Sequence, residues 1–218
     1  EKRVLADELK YNGVVLLNYK IEYPEFKSNS YRLCLSTVNG FYQKKANELK
    51  GYCETTLYDM AVKQYKTDIE NGYPVRVFDV RLVYEITYIS PCIISIYFDR
   101  YEFTGGAHGN TVRASQTWNL QKCTKLRLER LIHCSKDTEA YVLSVVVGQI
   151  RKNPEMYFNN YRELIAEKFN EKSFYCTQKG IVIYYQQYDI APYAAGIRTF
   201  LIPYSDCVLK PEKTCFSV

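Results

Sequence analysis

The sequence predicts an α+β fold in which an antiparallel sheet packs against one long N-terminal helix and two further helices. Three observations carry this reading. Apolar residues recur at helical spacing over about 29–70. Strand-like alternation comes in consecutive runs, over 76–119 and again over 173–202. Those runs do not alternate singly with helices, as a Rossmann-type fold would require. The expected organisation is an N-terminal part, 1–106, and a C-terminal part, 107–218, packed as one body.

Each element has its own signal. In 14–23, Val15, Leu17, Tyr19, Ile21 and Tyr23 point one way and Asn18, Lys20 and Glu22 the other, which reads as a half-buried strand ended by Pro24. The helix follows. Tyr31, Leu35, Val38, Tyr42, Ala46, Leu49, Cys53, Leu57 and Met60 are separated by steps of 4, 3, 4, 4, 3, 4, 4 and 3. That spacing matches the 3.6-residue turn of an amphipathic helix. Gly40 and Gly51 are candidate bends, and Asn71-Gly72 is the stop.

Residues 76–88 alternate, with Phe78, Val80, Leu82, Tyr84, Ile86 and Tyr88 on one face. Strands 92–103 and 110–119 come next, joined by Thr104-Gly105-Gly106-Ala107-His108-Gly109, whose glycines permit a tight reversal. Helices are expected over about 137–151 and 154–169. Asn153, Pro154 and Glu155 form the start signal of the second. Residues 173–177 and 181–187 read as a hairpin through Gln178-Lys179-Gly180, and 198–202 as a last strand.

Composition sets limits. The chain has 218 residues, 47% apolar and 24% charged, ordinary for a globular protein with a full core. No stretch reaches the roughly 18 consecutive apolar residues of a membrane span. A membrane anchor therefore has its place only outside the given chain, which begins at Glu1 without a visible signal peptide. The net charge of +5 is mild and no run of five basic residues occurs, so a nucleic-acid partner is not expected. No pattern calls for a metal or a cofactor, and CxxC, GxSxG, HExxH and P-loop motifs are absent.

There are eight cysteines. The even count suits a disulfide framework, yet a chain of this length does not need one. Cys53 falls on the helical stripe, and Cys92 and Cys176 lie at strand starts, where buried free thiols are common. Most of the eight are expected to be free structural thiols. The alternative is two or more disulfides, with Cys207 and Cys215 the first pair to inspect.

Candidate chemistry is sparse. His108 lies in a glycine-rich loop after a strand bearing Asp99 and Glu102, and there it is either a general base or a backbone hydrogen-bond partner that sets the turn. Glu102 and Asp189 are candidates for a carboxylate pair of the glycosidase kind. His133 beside Cys134 reads as a helix-flanking residue without a role. Tyrosine supplies 22 residues. Tyr184 and Tyr185 read as core, while Tyr188 and Tyr193, in the loop around Pro192 and Gly196, suit binding or structure equally.

Two segments carry a family resemblance: Thr104-Gly105-Gly106-Ala107-His108-Gly109-Asn110, and the stretch from Gly180 through Tyr188-Asp189-Ile190-Ala191-Pro192-Tyr193 to Gly196. The chain resembles the extracytoplasmic domain of the RsiV/PdaC family, which includes a lysozyme-sensing anti-sigma factor and the non-catalytic region of a peptidoglycan deacetylase. The likeness runs from the Val15–Tyr23 strand to Leu201-Ile202-Pro203-Tyr204. It implies an α+β binding domain rather than an enzyme, with lysozyme or a cell-wall glycan as partner and a cell-surface or extracytoplasmic, Gram-positive setting.

The sequence departs from the family in lacking a sigma-binding segment before Glu1 and in its eight cysteines, which as free thiols would suit the cytoplasm. On this reading Thr104, Gly105, Gly106, His108, Asn110, Tyr188, Asp189, Pro192, Tyr193 and Gly196 form one recognition edge at an end of the sheet. Lysozyme is strongly basic, so steering would oppose its encounter with a +5 chain. The alternatives are a glycan-acting hydrolase using Glu102, Asp189 and His108, and a structural or regulatory module.

Overall fold

The computed structural model describes residues 1–215, which fall into two compact units. The first comprises Glu1–Tyr84 with Phe98–Val112, and the second Glu85–Tyr97 with the chain from Arg113 onward. The strands are β1 (Lys2–Tyr11), β2 (Val14–Pro24), β3 (Phe78–Ser90), β4 (Ile93–Phe103), β5 (Asn110–Asn119), β6 (Thr124–Lys125), β7 (Phe174–Cys176), β8 (Gly180–Tyr185) and β9 (Arg198–Pro203). They form a six-stranded sheet in the order β1 to β6 and a three-stranded sheet in the order β7-β8-β9. The α+β class is as expected.

In the first unit, β1 is an addition to the expected set. It pairs antiparallel with β2 through a two-residue turn at Asn12 (φ 50°) and Gly13 (φ 81°). Left-handed Asn-Gly is the turn chemistry whose twist suits a two-residue hairpin. The next pair differs from the expected antiparallel sheet. β2 runs parallel to β3, Leu17 opposite Phe78 and Ile21 opposite Leu82. The long helix is the crossover that parallel strands need.

That helix is α1 (Arg32–Tyr52), a π-helical segment (Cys53–Leu57) and α2 (Tyr58–Glu70). It starts at Arg32 because Tyr31 is left-handed (φ 54°), so Tyr31 precedes the stripe instead of opening it. The irregularity comes after Gly51, where the Thr55 hydroxyl donates to the Gly51 carbonyl at 2.8 Å; Gly40 lies within regular helix. A π segment carries one extra residue per turn, which rotates the residues of α2 by about 100° around the helix axis. The buried stripe therefore runs Leu49, Cys53, Leu57, Ala61, and Met60, expected inside, is 46% exposed. The stripe packs on Leu16, Leu17, Tyr19 and Ile21 of β2 and on Phe78 and Val80 of β3.

In the second unit, α3 (Thr138–Ile150) lies where a helix over about 137–151 is expected, and the Asp137 carboxylate caps it by accepting from the Ala140 N–H at 3.0 Å. The second expected helix, 154–169, is shorter. Pro154–Met156 form one 3₁₀ turn, Asn153 makes no side-chain cap, Tyr157 is extended, and α4 covers Tyr161–Glu167. β7 and β8 form the expected hairpin, and β9 joins β8 antiparallel.

The cysteine expectation is overturned. Cys92 bonds Cys215 and Cys134 bonds Cys207, so Cys207 and Cys215 are not partners. Cys34 and Cys123 are disulfide-bonded as well. Cys53 and Cys176 are free and buried. Residues near in sequence need not have Cα atoms within bonding reach, and the tertiary fold sets those distances.

Candidate functional site

The two loops singled out by the sequence belong to different units, Thr104–Asn110 to the first and Asp189–Gly196 to the second. Each is built by its own surroundings.

The first loop follows β4. Its root is held by a charged clamp. Asp68, at the buried end of α2, accepts from the Arg76 guanidinium and, at 2.8 Å, from the Gln64 amide. The hydrogen bond from Arg76 holds the Asp68 carboxyl below its usual range. The same guanidinium donates to the Gly105 carbonyl at 3.2 Å. Gly105 has φ +83°, which a side chain would strain. Gly109 is buried, and a Cβ there would overlap the Tyr101 ring. His108 is exposed, with Nδ1 3.0 Å from the Gly109 carbonyl, the contact of a residue that sets a turn. Thr104, Gly106 and Asn110 are exposed. Glu102, one residue before the strand end, has Oε1 3.4 Å from the Tyr52 hydroxyl, while Oε2 is buried without a hydrogen-bond partner.

The second loop leaves β8 at a rigid root. Tyr184 and Tyr185 are buried, as expected of core residues, and the Tyr185 hydroxyl donates to the Ile165 carbonyl of α4 at 2.9 Å. Gln186 then acts as a substitute strand partner. Its Oε1 accepts from the Arg113 N–H and its Nε2 donates to the Arg113 carbonyl, both at 2.8 Å. Sequence reasoning missed this residue; a polar side chain directly after a fully apolar strand was the available signal. Asp189 closes the turn, its Oδ2 accepting from the Gln186 N–H at 2.7 Å. Burial pushes the Asp189 carboxyl above its usual range, against the lowering effects of that N–H and of Lys168.

Beyond the turn, Ile190 and Ala191 are buried, and the Ile190 carbonyl accepts from the Phe158 N–H at 3.1 Å. Pro192 is exposed and leads into the single turn Tyr193–Ala195, ended by Gly196 at φ 65°, ψ −158°, a region open essentially to glycine. Arg198 supports the turn, donating to the Tyr157 hydroxyl at 2.8 Å and lying over its ring at 4.8 Å. Between these pins the loop presents two rings. Tyr188 (φ 66°) is 54% exposed, and its ring centroid lies 5.5 Å from that of half-buried Tyr193.

The outcome is a division of labour. The first loop is held by contacts that account for Gly105, Gly109 and His108. The second spends Gln186 and Asp189 on backbone groups and presents two tyrosines, Tyr188 exposed and Tyr193 half-buried. Paired aromatic faces on a rigid loop can stack on the apolar face of a sugar ring or fill a partner's pocket.

Comparison with known proteins agrees with the resemblance. Residues 13–111 match the family model described as Deacetylase PdaC, and residues 130–205 match a family of unknown function, DUF3298. The peptidoglycan-N-acetylmuramic acid deacetylase PdaC of Bacillus subtilis is 22% identical over 188 residues, 85% of this chain. The chain spans 37% of the length of that relative. A DUF3298 family member from Bacteroides fragilis superposes with a TM-score of 0.67 at 19% identity, over 94% of this chain and 89% of the other. A DUF3298 family protein from Pseudomonas aeruginosa gives 0.57 at 15% identity, over 97% and 94%. These two likenesses concern the fold.

Proposed function

We propose, from the premise that this chain is a PdaC/DUF3298-type domain, that it is a non-catalytic recognition domain of the cell envelope and binds a peptidoglycan-like glycan. Family membership suggests a cell-envelope association, and the deacetylase it resembles is named for peptidoglycan. The observation that carries the reading is the Tyr188–Tyr193 pair on the pinned Asp189–Gly196 loop. Six oxidised cysteines support an oxidising compartment over the cytosol.

Of the two ligands the resemblance implies, the glycan fits better than lysozyme. A chain of net charge +5 repels a basic partner at long range, and a sugar needs no such steering. The absence of catalysis rests on the commitments of the carboxylates: Asp189 holds the Gln186 N–H, and Glu102 faces the Tyr52 hydroxyl. A glycosidase needs two carboxyl groups disposed about one bond, one of them free to give a proton.

The test is capture on immobilised peptidoglycan, immobilised lysozyme and a neutral control resin, alongside a hydrolysis assay on the same glycan. Retention on peptidoglycan that Tyr188→Ala abolishes, with no sugar released, supports the reading. Retention on lysozyme alone would replace the ligand, and sugar release would replace the function.

A further inference from the structure

The first strand is an open edge. β1 has β2 on one side and, among the described residues, no strand on the other. The pairing fixes which of its backbone groups face out. The Glu1 nitrogen donates to the Glu25 carbonyl at 2.8 Å, and the Glu25 N–H donates to the Glu1 carbonyl at 2.9 Å. In an antiparallel ladder such pairs alternate, so Arg3, Leu5 and Asp7 bond β2 in turn. The N–H and C=O groups of Lys2, Val4, Ala6 and Glu8 therefore point away from β2. An edge of this kind is a template for another strand.

Natural edges are blunted by bulges, charges or a covering group. Here the bulge and the cover stand at the far end. The register shifts between Leu9 and Lys10, and the Tyr58 hydroxyl of α2 donates to the Lys10 carbonyl at 2.7 Å. Lys2 to Glu8 form the regular part. Its residues are exposed except for half-buried Leu5, which packs against the core of β2 and the long helix. Val4, on the other face, is 46% exposed.

We infer that this edge pairs with the same edge of a second copy, antiparallel about a two-fold axis at Leu5. The outward groups recur at every second residue, so the axis must fall on a residue, and charge selects which one. With the axis at Leu5, Lys2 faces Glu8 and Arg3 faces Asp7, each twice, while Val4 faces Ala6 and the two Leu5 side chains meet. With the axis at Val4, Glu1 faces Asp7; at Ala6, Lys2 faces Lys10; at Asp7, that carboxylate faces its own copy. Opposite charges across a ladder stabilise it and like charges destabilise it. Lys2 and Arg3 also reach Glu22 and Glu25 within the chain, but an ammonium and a guanidinium have donors for a second carboxylate. Pairing asks the Asp7 carboxylate to give up the Glu8 N–H, which it accepts at 2.8 Å, to the carbonyl of Lys2 of the partner subunit. A single strand offers fewer residues than the roughly 20–30 a side of a stable interface, so the dimer is a reversible one. The inference does not depend on the glycan reading.

Sedimentation velocity of the oxidised chain, from micromolar to near-millimolar concentration, should show a monomer–dimer equilibrium. Asp7→Lys with Glu8→Lys sets like charges across the ladder and should raise the dissociation constant at least tenfold, with an unchanged melting temperature. Single cysteines test the register. Residues facing one another at a non-hydrogen-bonded position have Cα atoms about 4.5 Å apart, within disulfide reach. Leu5→Cys should therefore give a reducible dimer on mild oxidation. Val4→Cys should not, since that position faces Ala6, and neither should the wild type, whose free Cys53 and Cys176 are buried. Tyr188→Ala, which tests the glycan reading, should dimerise as the wild type does. A wild type that stays monomeric, a double variant that dimerises as tightly, or cross-linking through Val4→Cys in place of Leu5→Cys would each overturn the inference.

Discussion

The Thr104–Asn110 and Asp189–Gly196 loops look alike in sequence, both following strands and both rich in small residues, yet they solve different problems. In the first, Gly105, Gly109 and His108 have internal tasks. Gly105 takes a left-handed backbone under Arg76, Gly109 makes room for Tyr101, and His108 meets the Gly109 carbonyl. In the second, Gln186, Asp189 and Arg198 hold the backbone from beneath, and the rings of Tyr188 and Tyr193 are left at the surface. The lesson is that a glycine-rich motif is read by what would fill the missing side chain's space. Where a neighbour already stands there, the glycine serves the fold.

The contrast between the loops can be broken in four ways. The largest effect concerns the frame of the second loop. Replacing Cys134 and Cys207 together by Ala opens a 73-residue separation and should cost about 4 kcal/mol by the loop-entropy relation. Denaturant unfolding measures it, and a loss under about 1 kcal/mol would mean that the second unit does not depend on this staple. Thiol titration of the unfolded, unreduced wild type should find Cys53 and Cys176 alone.

Next in size, Gly109→Ala should destabilise by about 1–3 kcal/mol, the cost of overpacking, and leave glycan capture unchanged in the folded fraction. Adding Tyr101→Ala should relieve the overlap. If Gly109→Ala melts normally but loses capture, the first loop is the binding element and the contrast is reversed.

The clamp beneath the first loop should show in the acid limb of stability. Asp68 has its carboxyl lowered by the Arg76 hydrogen bond. A group depressed in the folded state contributes stability above its unfolded value, about pH 3.9, and loses that contribution as pH falls through the folded value. Arg76→Gln should therefore move the acid unfolding midpoint upward. A midpoint that does not move would mean that the clamp contributes nothing to holding the loop.

The smallest effect on stability is the most informative about function. Tyr188→Ala should change stability by no more than about 0.5 kcal/mol, because the side chain is largely exposed, and should abolish peptidoglycan capture. A variant that still binds would leave the tyrosine pair a surface ornament of a structural loop.

Much of this division was hidden in the sequence because contact partners are remote in it. The continuous apolar run Gly180–Tyr185 made the root of the second loop legible as a strand, and both of its tyrosines are buried. Nothing in Thr104–Asn110 announces that Tyr101 fills the space above Gly109, since a strand residue and a loop residue meet there only after the reversal. A cleft lined by Lys122, Lys125, Arg127, Arg130, His133 and Lys213 was equally hidden. Lys122 to Arg130 look like scattered charge until His133 and Lys213 are brought beside them.

By itself the sequence determined what local periodicity and turn chemistry can express. The β2 alternation and the helical stripe as far as Leu57 result from residue spacing, because burial on one face selects it, and the β7–β8 hairpin follows from its Gln178-Lys179-Gly180 turn. β1 left no such signal, because its mostly exposed edge residues carry little alternation. Tertiary structure alone decided the rest. The parallel pairing of β2 and β3 depends on where the long helix returns the chain, the inward turn of Ala61 in place of Met60 on one extra residue in a π segment, and the disulfide partners on Cα distances across the fold. These are choices among arrangements with the same local pattern, and only packing energy distinguishes them.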